Sequence, residues 1–335
     1  MAAMAAAVYF YGPRLGAWLS QFDWSKFTGA FQQFDARWLA AANGLIILTY
    51  LGRAVRWAAL IQPICPRPSY WKLFTAQITG FSAVAVLGRA GELVRPYLIA
   101  NQHGLSFSSQ MAVWFLERIF DLLAVLTLFG YALFYIDPST ASEVGPRLAW
   151  VLHAGGGIAA AVAALCCSIV IAFRFFSEKT RTQLNEALLI LPVAMHGRIA
   201  GIVDAFLDGI SSMKTTRQIL LVFVYSFLEW IVIVGVFYCL FRGFPPTAHM
   251  TWNDAMVAAG FIAFGGIVQI PGVGGGMQVV TVLILTELYG LEVEPATVVA
   301  IVAWITTFLI VVPAGLYFSV RDGFDWRKIR EIKPV

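Results

Sequence analysis

The chain has 335 residues, of which 59% are hydrophobic and 13% are charged, and its formal net charge is +4. Soluble domains carry about 25% charged residues, so this composition excludes an ordinary soluble protein and predicts an all-α polytopic membrane protein. It has no basic, aromatic-studded soluble face, which excludes nucleic-acid binding, and its four cysteines and four histidines lack metal-ligand spacing, so we expect neither metal nor cofactor.

The first part of the chain predicts two membrane helices. Residues 1–20 are apolar but interrupted by Gly12-Pro13-Arg14, and we interpret them as a shortened first helix. Residues 38–61 form an apolar run long enough to cross a bilayer, for which about 20 residues suffice. Arg53 and Arg56 lie near the end of that run. We interpret both as interfacial anchors, with contact to a lipid headgroup as the alternative.

A charged stretch then interrupts the next apolar segment. Residues 88–96 read Gly-Arg-Ala-Gly-Glu-Leu-Val-Arg-Pro, and the two glycines and the proline argue against a continuous helix. Charge on broken backbone inside a membrane needs a protein-lined or watery cavity. We therefore predict a re-entrant hairpin over residues 72–100, whose tip lines a polar cavity. Arg89, Glu92 and Arg95 are the candidate substrate-binding residues of this tip.

Residues 111–136 form a full crossing that carries Glu117, Arg118 and Asp121 in its first half. Arginine suits a lipid phosphate because its planar fork donates two hydrogen bonds at once. The alternative is that the arginines of residues 89–118 pair with the nearby carboxylates and only hold the hairpin. A further crossing completes a first half over residues 1–173. The polar segment 174–215 follows, with apolar residues at helical spacing that predict an amphipathic helix on the membrane surface.

The second half, residues 216–335, repeats this organisation. Residues 219–241 cross the membrane with Glu229 in the middle, where an ionisable residue is a functional candidate or a buried structural partner. Residues 254–289 form a second hairpin around a glycine-rich tip, and residues 296–320 are the last crossing. The candidate binding residues of the second tip are Gly272, Gly274, Gly275, Gly276 and Gln278. The glycine N–H groups could bind an anion, or the glycines could serve close packing.

The distribution of Lys and Arg predicts the orientation. Residues 174–217 and the tail after residue 320 hold several of them and should be cytoplasmic, whereas residues 243–254 hold none and should face outside. The two hairpins then enter from opposite faces. Gly80-Phe81 and Gly260-Phe261 occupy matching positions in them. The sequence thus predicts about six to eight transmembrane helices and two re-entrant hairpins in an inverted-topology repeat, as in many secondary transporters.

The succession of motifs resembles one family. Arg56-Trp57, Gly88-Arg89-Ala90-Gly91-Glu92 with Arg95, Glu117-Arg118 with Asp121, and the glycine cluster after Pro271 are similar to the membrane domain of lysylphosphatidylglycerol synthases, the flippase-like domain family. The resemblance covers residues 22–326 and implies movement of anionic or aminoacylated lipids between leaflets. We expect a stand-alone membrane domain, without the aminoacyl-transferase domain of some members. Gln278 stands where the family commonly has glutamate, and Trp304 replaces a later arginine.

Together these features predict a flippase-like transporter of a phosphate-containing lipid, such as an anionic phospholipid or a polyprenyl phosphate. We expect a multi-pass protein of the bacterial cytoplasmic membrane with no catalytic residues, and a homo-oligomer is compatible with the sequence. The alternatives are an integral-membrane enzyme acting on lipid phosphates or polyprenyl-linked substrates, and an ion-coupled solute transporter with Glu229 or Asp121 as the proton carrier.

Overall fold

The computed structural model describes residues 23–134, 157, 160–172, 193–209, 215–266, 269–270, 274–309 and 311–322. These residues are almost entirely helical, which confirms the predicted all-α class. The twelve helices of the described residues are α1 Trp24–Phe31, α2 Ala36–Ile61, α3 Tyr70–Leu87, α4 Val94–His103, α5 Phe107–Phe134, α6 Ala160–Ala172, α7 Val193–Gly209, α8 Thr216–Arg242, α9 Trp252–Gly265, α10 Gly276–Glu287, α11 Val293–Leu309 and α12 Val311–Arg321. Two short 3₁₀ turns (Gly88–Leu93 and Pro245–Thr247) and a two-stranded pair, β1 Gln269–Ile270 with β2 Gly274–Gly275, complete them.

Four helical stretches are long and apolar enough to cross a membrane, namely Ala36–Ile61, Tyr70–His103, Thr216–Arg242 and Val293–Arg321. The 28 residues of α5 have a comparable length but carry three charges. The protein is therefore a multi-pass helical membrane protein. The predicted helix of residues 1–20, most of the linker 174–215 and nearly all of the tail after residue 320 lie outside the described residues.

Polar side chains define where the long helices begin. Asp35, Ser69 and Thr215 accept hydrogen bonds from backbone N–H groups in the first turns of α2, α3 and α8, which satisfies donors that have no partner inside the helix. Thr251 and Asp254 form a reciprocal capping box at the start of α9. These caps fix the membrane helices at the positions where the apolar runs begin.

Helices α3 and α4 pack against each other in opposite directions. Lys72 Nζ donates to the carbonyl of Gln102 at 3.1 Å, so the start of α3 lies beside the end of α4. Nearer the turn, Gly91 lies so close to α3 that an added Cβ would come within 2.3 Å of the Ala83 backbone. The charged stretch that the sequence analysis selected forms the 3₁₀ turn Gly88–Leu93 between them, and Gly88 has a φ of +64°. We call this turn the first tip.

Helices α9 and α10 form a second antiparallel pair. Tyr289 Oη donates to the carbonyl of Asp254 at 3.4 Å, so the start of α9 lies beside the segment after α10. At the other end, an added Cβ on Gly265 would lie 2.7 Å from the carbonyl oxygen of Gly276. Residues 266–275, which include β1 and β2, connect the two helices and are called the second tip.

The remaining long helices run between the open ends of these two pairs. Helix α11 begins beside α1, where Lys26 pairs with Glu292 at 2.9 Å. Helix α12 then runs along α3 and ends where the Arg321 guanidinium lies over the Trp71 ring, 6.0 Å from its centre. At the end of α5, the carbonyl of Ala132 accepts from Asn253 Nδ2 at 3.2 Å. The open end of the α3–α4 pair is therefore at one end of the molecule, and that of the α9–α10 pair is at the other.

Two hydrophobic clusters form the core, one around each pair. One cluster joins the second half of α2 and the first half of α5 to α3 and α4, and it includes Trp57 and Phe120. The other joins the first half of α2 and the second half of α8 to α9, α10 and α11.

Helix α7 packs on the start of α5, where the Gly209 position approaches the Ser109 carbonyl. Ile199, Val203 and Phe206, three of the predicted amphipathic positions, lie on α7, and the rest of that pattern lies outside the described residues.

Candidate functional site

Charged side chains from four helices meet inside the protein. Helix α2 contributes two arginines, α4 one arginine, α5 an arginine and two carboxylates, and α8 one glutamate. We call this set the buried charge cluster, and its members are Arg53, Arg56, Arg95, Glu117, Arg118, Asp121 and Glu229. Charges inside an apolar protein are costly unless they are paired. Their concentration at one place therefore marks the candidate site.

Arg56 lies at the centre of the cluster, and its side chain is 0% exposed. It pairs with Glu117 and Asp121, which are one helical turn apart on the same face of α5. It also donates to Ser226 Oγ at 2.8 Å and lies 3.1 Å from Glu229 Oε2, both on α8. One guanidinium thus joins α2, α5 and α8.

Arg95 joins α4 to Glu117, one of the carboxylates that pair with Arg56. Its guanidinium pairs with Glu117 and donates to Gln77 Oε1 at 2.9 Å. It lies over the Trp57 ring, 4.5 Å from the ring centre, and the Phe81 ring is 5.4 Å away. An aromatic face stabilises a desolvated cation. Arg95 is 4% exposed, so the structure places this predicted site residue in the interior rather than at the tip.

Arg53 extends the cluster toward α3. Its guanidinium lies 2.7 Å from Glu229 Oε1 and 4.5 Å from the centre of the Phe81 ring, and 13% of its side chain is exposed. The prediction that Arg53 and Arg56 are interfacial anchors is wrong. Arg56 lies five residues before the end of α2, roughly 7–8 Å inside the helix terminus, and it faces carboxylates on neighbouring helices.

Arg118 is the most exposed member of the cluster. Its side chain is 37% exposed and lies 3.2 Å from Glu117 Oε2 and 3.1 Å from Asp121 Oδ2. Four arginines and three carboxylates give the cluster a formal charge of one positive unit. The cluster is therefore electrostatically suited to an anion. Arg118 has the most exposed side chain of the four arginines, although its Nε and Nη2 atoms are buried and have no well-aligned hydrogen-bond partner among the described residues.

The first tip contacts the second tip, and no ion pair of the described residues joins it to the buried charge cluster. Arg89 pairs with Glu92 and also donates to the carbonyl of Gly266 at 2.6 Å, 177 residues later in the chain. The Arg89 side chain is 48% exposed. The sequence predicted the turn at this tip. Arg89 reaches from it to the second tip, while its partner Glu92 lies within electrostatic range of Arg118 in the buried charge cluster.

The second tip shows a structural use for most of its predicted residues. Gln278 Oε1 accepts from the N–H of Gly275 at 2.8 Å and so caps the start of α10. Gly275 has a φ of +142°, which favours glycine, and Gly274 pairs with Ile270 in the small sheet. The Gly276 carbonyl packs against Gly265. Gly272 lies outside the described residues, and the described contacts of the others do not include the buried charge cluster.

The sequence analysis missed Gln77 and Ser226 and misjudged Arg53 and Arg56. Gln77 is 0% exposed, and its Nε2 has no hydrogen-bond partner in the described part of the chain. A usable signal was present, because Arg53 and Arg56 are three residues apart on one face of an otherwise apolar helix. Polar residues at that spacing indicate a buried face as readily as an interface.

A separate cavity of about 590 Å³ lies between α5, α8 and α9. Its lining is mainly apolar and contains no member of the buried charge cluster; it consists of Thr127, Leu128, Tyr131, Phe227, Ile231, Trp252, Asn253 and Met256. Among the described residues, no group of three or more His, Cys, Asp or Glu side chains could hold a metal ion. The chemistry of the site therefore rests on its arginines and carboxylates.

Comparison with known proteins identifies one similarity. The model of the family described as the lysylphosphatidylglycerol synthase TM region matches residues 3–315. No curated protein and no solved structure matches the chain.

Proposed function

The chain belongs to the lysylphosphatidylglycerol synthase transmembrane-region family, and on that premise we propose that it moves a phosphate-containing lipid between the two leaflets of a membrane. Family membership links the chain to lipid handling in a membrane. The observation that carries the finer proposal is the buried charge cluster with its single excess positive charge. A lipid phosphodiester brings one negative charge, which matches this excess.

Arginine is the residue that suits this task, because its planar guanidinium can bind two phosphate oxygens at once. Arg118 receives the phosphate first, since 37% of its side chain is exposed whereas Arg56 is fully enclosed. Glu117 and Asp121 hold Arg118 in position when no lipid is bound. The acyl chains remain in the surrounding bilayer.

We further propose that the α3–α4 and α9–α10 pairs are re-entrant hairpins, and that the halves 1–173 and 216–335 form an inverted-topology repeat. Their open ends at opposite ends of the molecule support this proposal, as does the Arg89–Gly266 contact between the tips. Gly104 and Gly290, which follow α4 and α10, have φ values of +66° and +64°, as corresponding positions of a repeat would. Tips that meet in the middle of the membrane would give a lipid headgroup access from either face.

The charge distribution supports an orientation in the bacterial cytoplasmic membrane with residues 174–215 and the tail in the cytoplasm. The substrate is an anionic phospholipid or a polyprenyl phosphate. These two classes share the phosphate that the arginines recognise, and they differ in the lipid chain and in the number of negative charges.

Reconstituted vesicles with a fluorescent phosphatidylglycerol test the proposal. A quencher that cannot cross the membrane reports how fast the labelled lipid leaves the inner leaflet. The wild-type protein should make all of the label accessible, and Arg118→Gln should slow this transfer at least about tenfold, the effect of losing roughly 1.4 kcal/mol of binding. Arg67→Gln, an exposed arginine in the loop between α2 and α3, is the matched control and should transfer at the wild-type rate.

If half of the labelled phosphatidylglycerol stays protected in vesicles that carry the folded wild-type protein, and half of a labelled polyprenyl phosphate does so as well, the proposed function is overturned. Polyprenyl phosphate added as a competitor distinguishes the two lipid classes. Slower phosphatidylglycerol transfer in its presence would show that the site accepts both lipids, and unchanged transfer would restrict the site to the phospholipid.

A further inference from the structure

Glu229 occupies an unusual position in the buried charge cluster. Its carboxylate lies between two arginines of α2, with Oε1 2.7 Å from Arg53 and Oε2 3.1 Å from Arg56. Only 2% of its side chain is exposed. Neither oxygen accepts a well-aligned hydrogen bond from any residue that the structure describes. The described contacts of the Glu229 carboxylate are therefore ion pairs without well-aligned hydrogen bonds. Helix α8, which carries Glu229, contributes no other charge to the cluster.

The two arginines depend on Glu229 to different degrees. Arg56 also pairs with Glu117 and Asp121, so it keeps two carboxylates when Glu229 is neutral. For Arg53, Glu229 is the one carboxylate within ion-pair distance among the described residues. Glu117 attracts it from farther away, and its guanidinium also lies over the Phe81 ring. A proton on Glu229 would therefore release Arg53 and leave Arg56 in place.

The groups that face Glu229 come from two neighbouring helices. Helix α2 presents Tyr50, Arg53 and Arg56, and α5 presents the like-charged Glu117 and Asp121. The charged residues of α9 and α11, Asp254 and Glu294, are engaged at the far ends of those helices. Adding one proton to Glu229 raises the formal charge of the cluster from one to two positive units.

We propose that Glu229 is a proton-binding residue of the site and that lipid binding is coupled to uptake of one proton. A proton from water forms an O–H bond with the Glu229 carboxylate, which ends the ion pair with Arg53. The Arg53 guanidinium keeps its own protons and pairs with a phosphate oxygen of the lipid. When the lipid leaves on the other side, Glu229 returns its proton to water there, and the Arg53–Glu229 pair forms again.

This inference rests on the proposed lipid transport and adds its energy source. A proton gradient across the membrane would drive the lipid in the direction in which protons move, because the lipid-binding form is the protonated one. The affinity for an anionic lipid should then fall as the pH rises. The slope approaches about tenfold per pH unit when one proton is taken up for each lipid bound.

Binding of short-chain dioctanoyl-phosphatidylglycerol to the full-length protein in detergent, measured from pH 5 to pH 8, tests the coupling. The wild-type affinity should follow that slope over part of this range. Glu229→Gln mimics the protonated side chain and should bind at every pH as tightly as the wild type does at its acidic limit. Glu292→Gln is the matched control, since it removes a carboxylate that is 66% exposed in a surface pair with Lys26 and lies outside the buried charge cluster. It should retain the pH slope.

A second measurement does not depend on any variant being folded. Adding dioctanoyl-phosphatidylglycerol to wild-type protein in weakly buffered solution should raise the pH by an amount that corresponds to about one proton per bound lipid. Binding without proton uptake, or a Glu229→Gln protein that keeps the wild-type slope, would overturn the inference. Lipid transfer in vesicles at a pH-independent rate would contradict the proton coupling but not the proposed function. The absence of lipid transfer at every pH would contradict the proposed function itself.

Discussion

Arg56 is the residue on which the candidate site depends most. It lies on α2, it binds carboxylates of α5 and a hydroxyl of α8, and its side chain is fully enclosed. The sequence indicated Glu117, Asp121 and Glu229 because each is an acid inside an apolar run. It could not indicate their common partner, since the contacts join residues 61 to 173 positions apart and helical periodicity reports only which residues share a face of one helix.

Replacement of Arg56 by methionine should strongly destabilise the protein. The substitution keeps an unbranched apolar stem but removes the guanidinium, so it leaves three buried carboxylates with less compensation. Removing one partner of a buried ion pair costs about 3–5 kcal/mol. Denaturant unfolding of the purified protein in detergent measures the loss. Arg321→Met is the matched control, because that arginine is 41% exposed beside Asp322, and such surface pairs contribute about 0–1 kcal/mol. Equal stability of the two variants would contradict the central role of Arg56.

At the scale of the elements, the sequence was most informative where it departs from regular helix. The glycines, the proline and the charges of residues 88–96 predicted a break, and the structure has the turn Gly88–Leu93 there. The prediction placed all its charges at one tip. Instead, Arg95 lies one turn beyond, on α4, and faces inward to Gln77 and Glu117. Sequence spacing located the turn but could not give the rotation of the helix that follows it.

Gly91→Ala should disturb the α3–α4 pair. An added Cβ would come within 2.3 Å of the Ala83 backbone, which cannot move without displacing α3. Overpacking of this kind typically costs about 1–3 kcal/mol. Gly52→Ala on α2 is the control, since nothing lies within 4 Å of its added Cβ, and it should stabilise the helix by about 0.5–1 kcal/mol. Thermal unfolding in detergent should shift in opposite directions for the two variants. A Gly91→Ala protein as stable as the wild type would contradict the close packing at the first tip.

At the scale of the whole molecule, charge placement along the sequence predicted that two helix pairs open toward opposite faces. The Lys and Arg residues that carried this prediction cluster in the linker 174–215 and in the tail after residue 320. The structure describes the open ends of the pairs at opposite ends of the molecule. The assignment of the cytoplasmic end rests on the distribution of Lys and Arg in the sequence.

Cysteine labelling in intact cells tests this orientation. In a variant that lacks Cys65, Cys166, Cys167 and Cys239, we expect Asn101→Cys to be protected from a membrane-impermeant maleimide and Glu292→Cys to react. Asn101 is exposed on the last turn of α4, and the Glu292 side chain is 66% exposed before α11. Both positions should react after the cells are permeabilised, which controls for accessibility. Reaction of both from the same side would contradict the inverted arrangement.

The protein should also prefer lipids with a phosphate and a small or neutral headgroup over cationic aminoacylated lipids. The buried charge cluster has one excess positive charge, so a lysyl headgroup would bring cations to a site in which arginines already outnumber carboxylates. The Gln278 oxygen caps Gly275, so at the second tip this residue supplies a neutral dipole rather than a compensating charge. An unpaired charge in a low-dielectric interior costs several kcal/mol, which corresponds to a preference of at least about a hundredfold. Competition between lysyl-phosphatidylglycerol and phosphatidylglycerol in vesicles measures this preference. The variant Gln278→Glu should reduce the preference for phosphatidylglycerol, because the added carboxylate can pair with the cationic headgroup. A wild-type protein that selects the lysyl lipid would contradict the electrostatic assignment of the site.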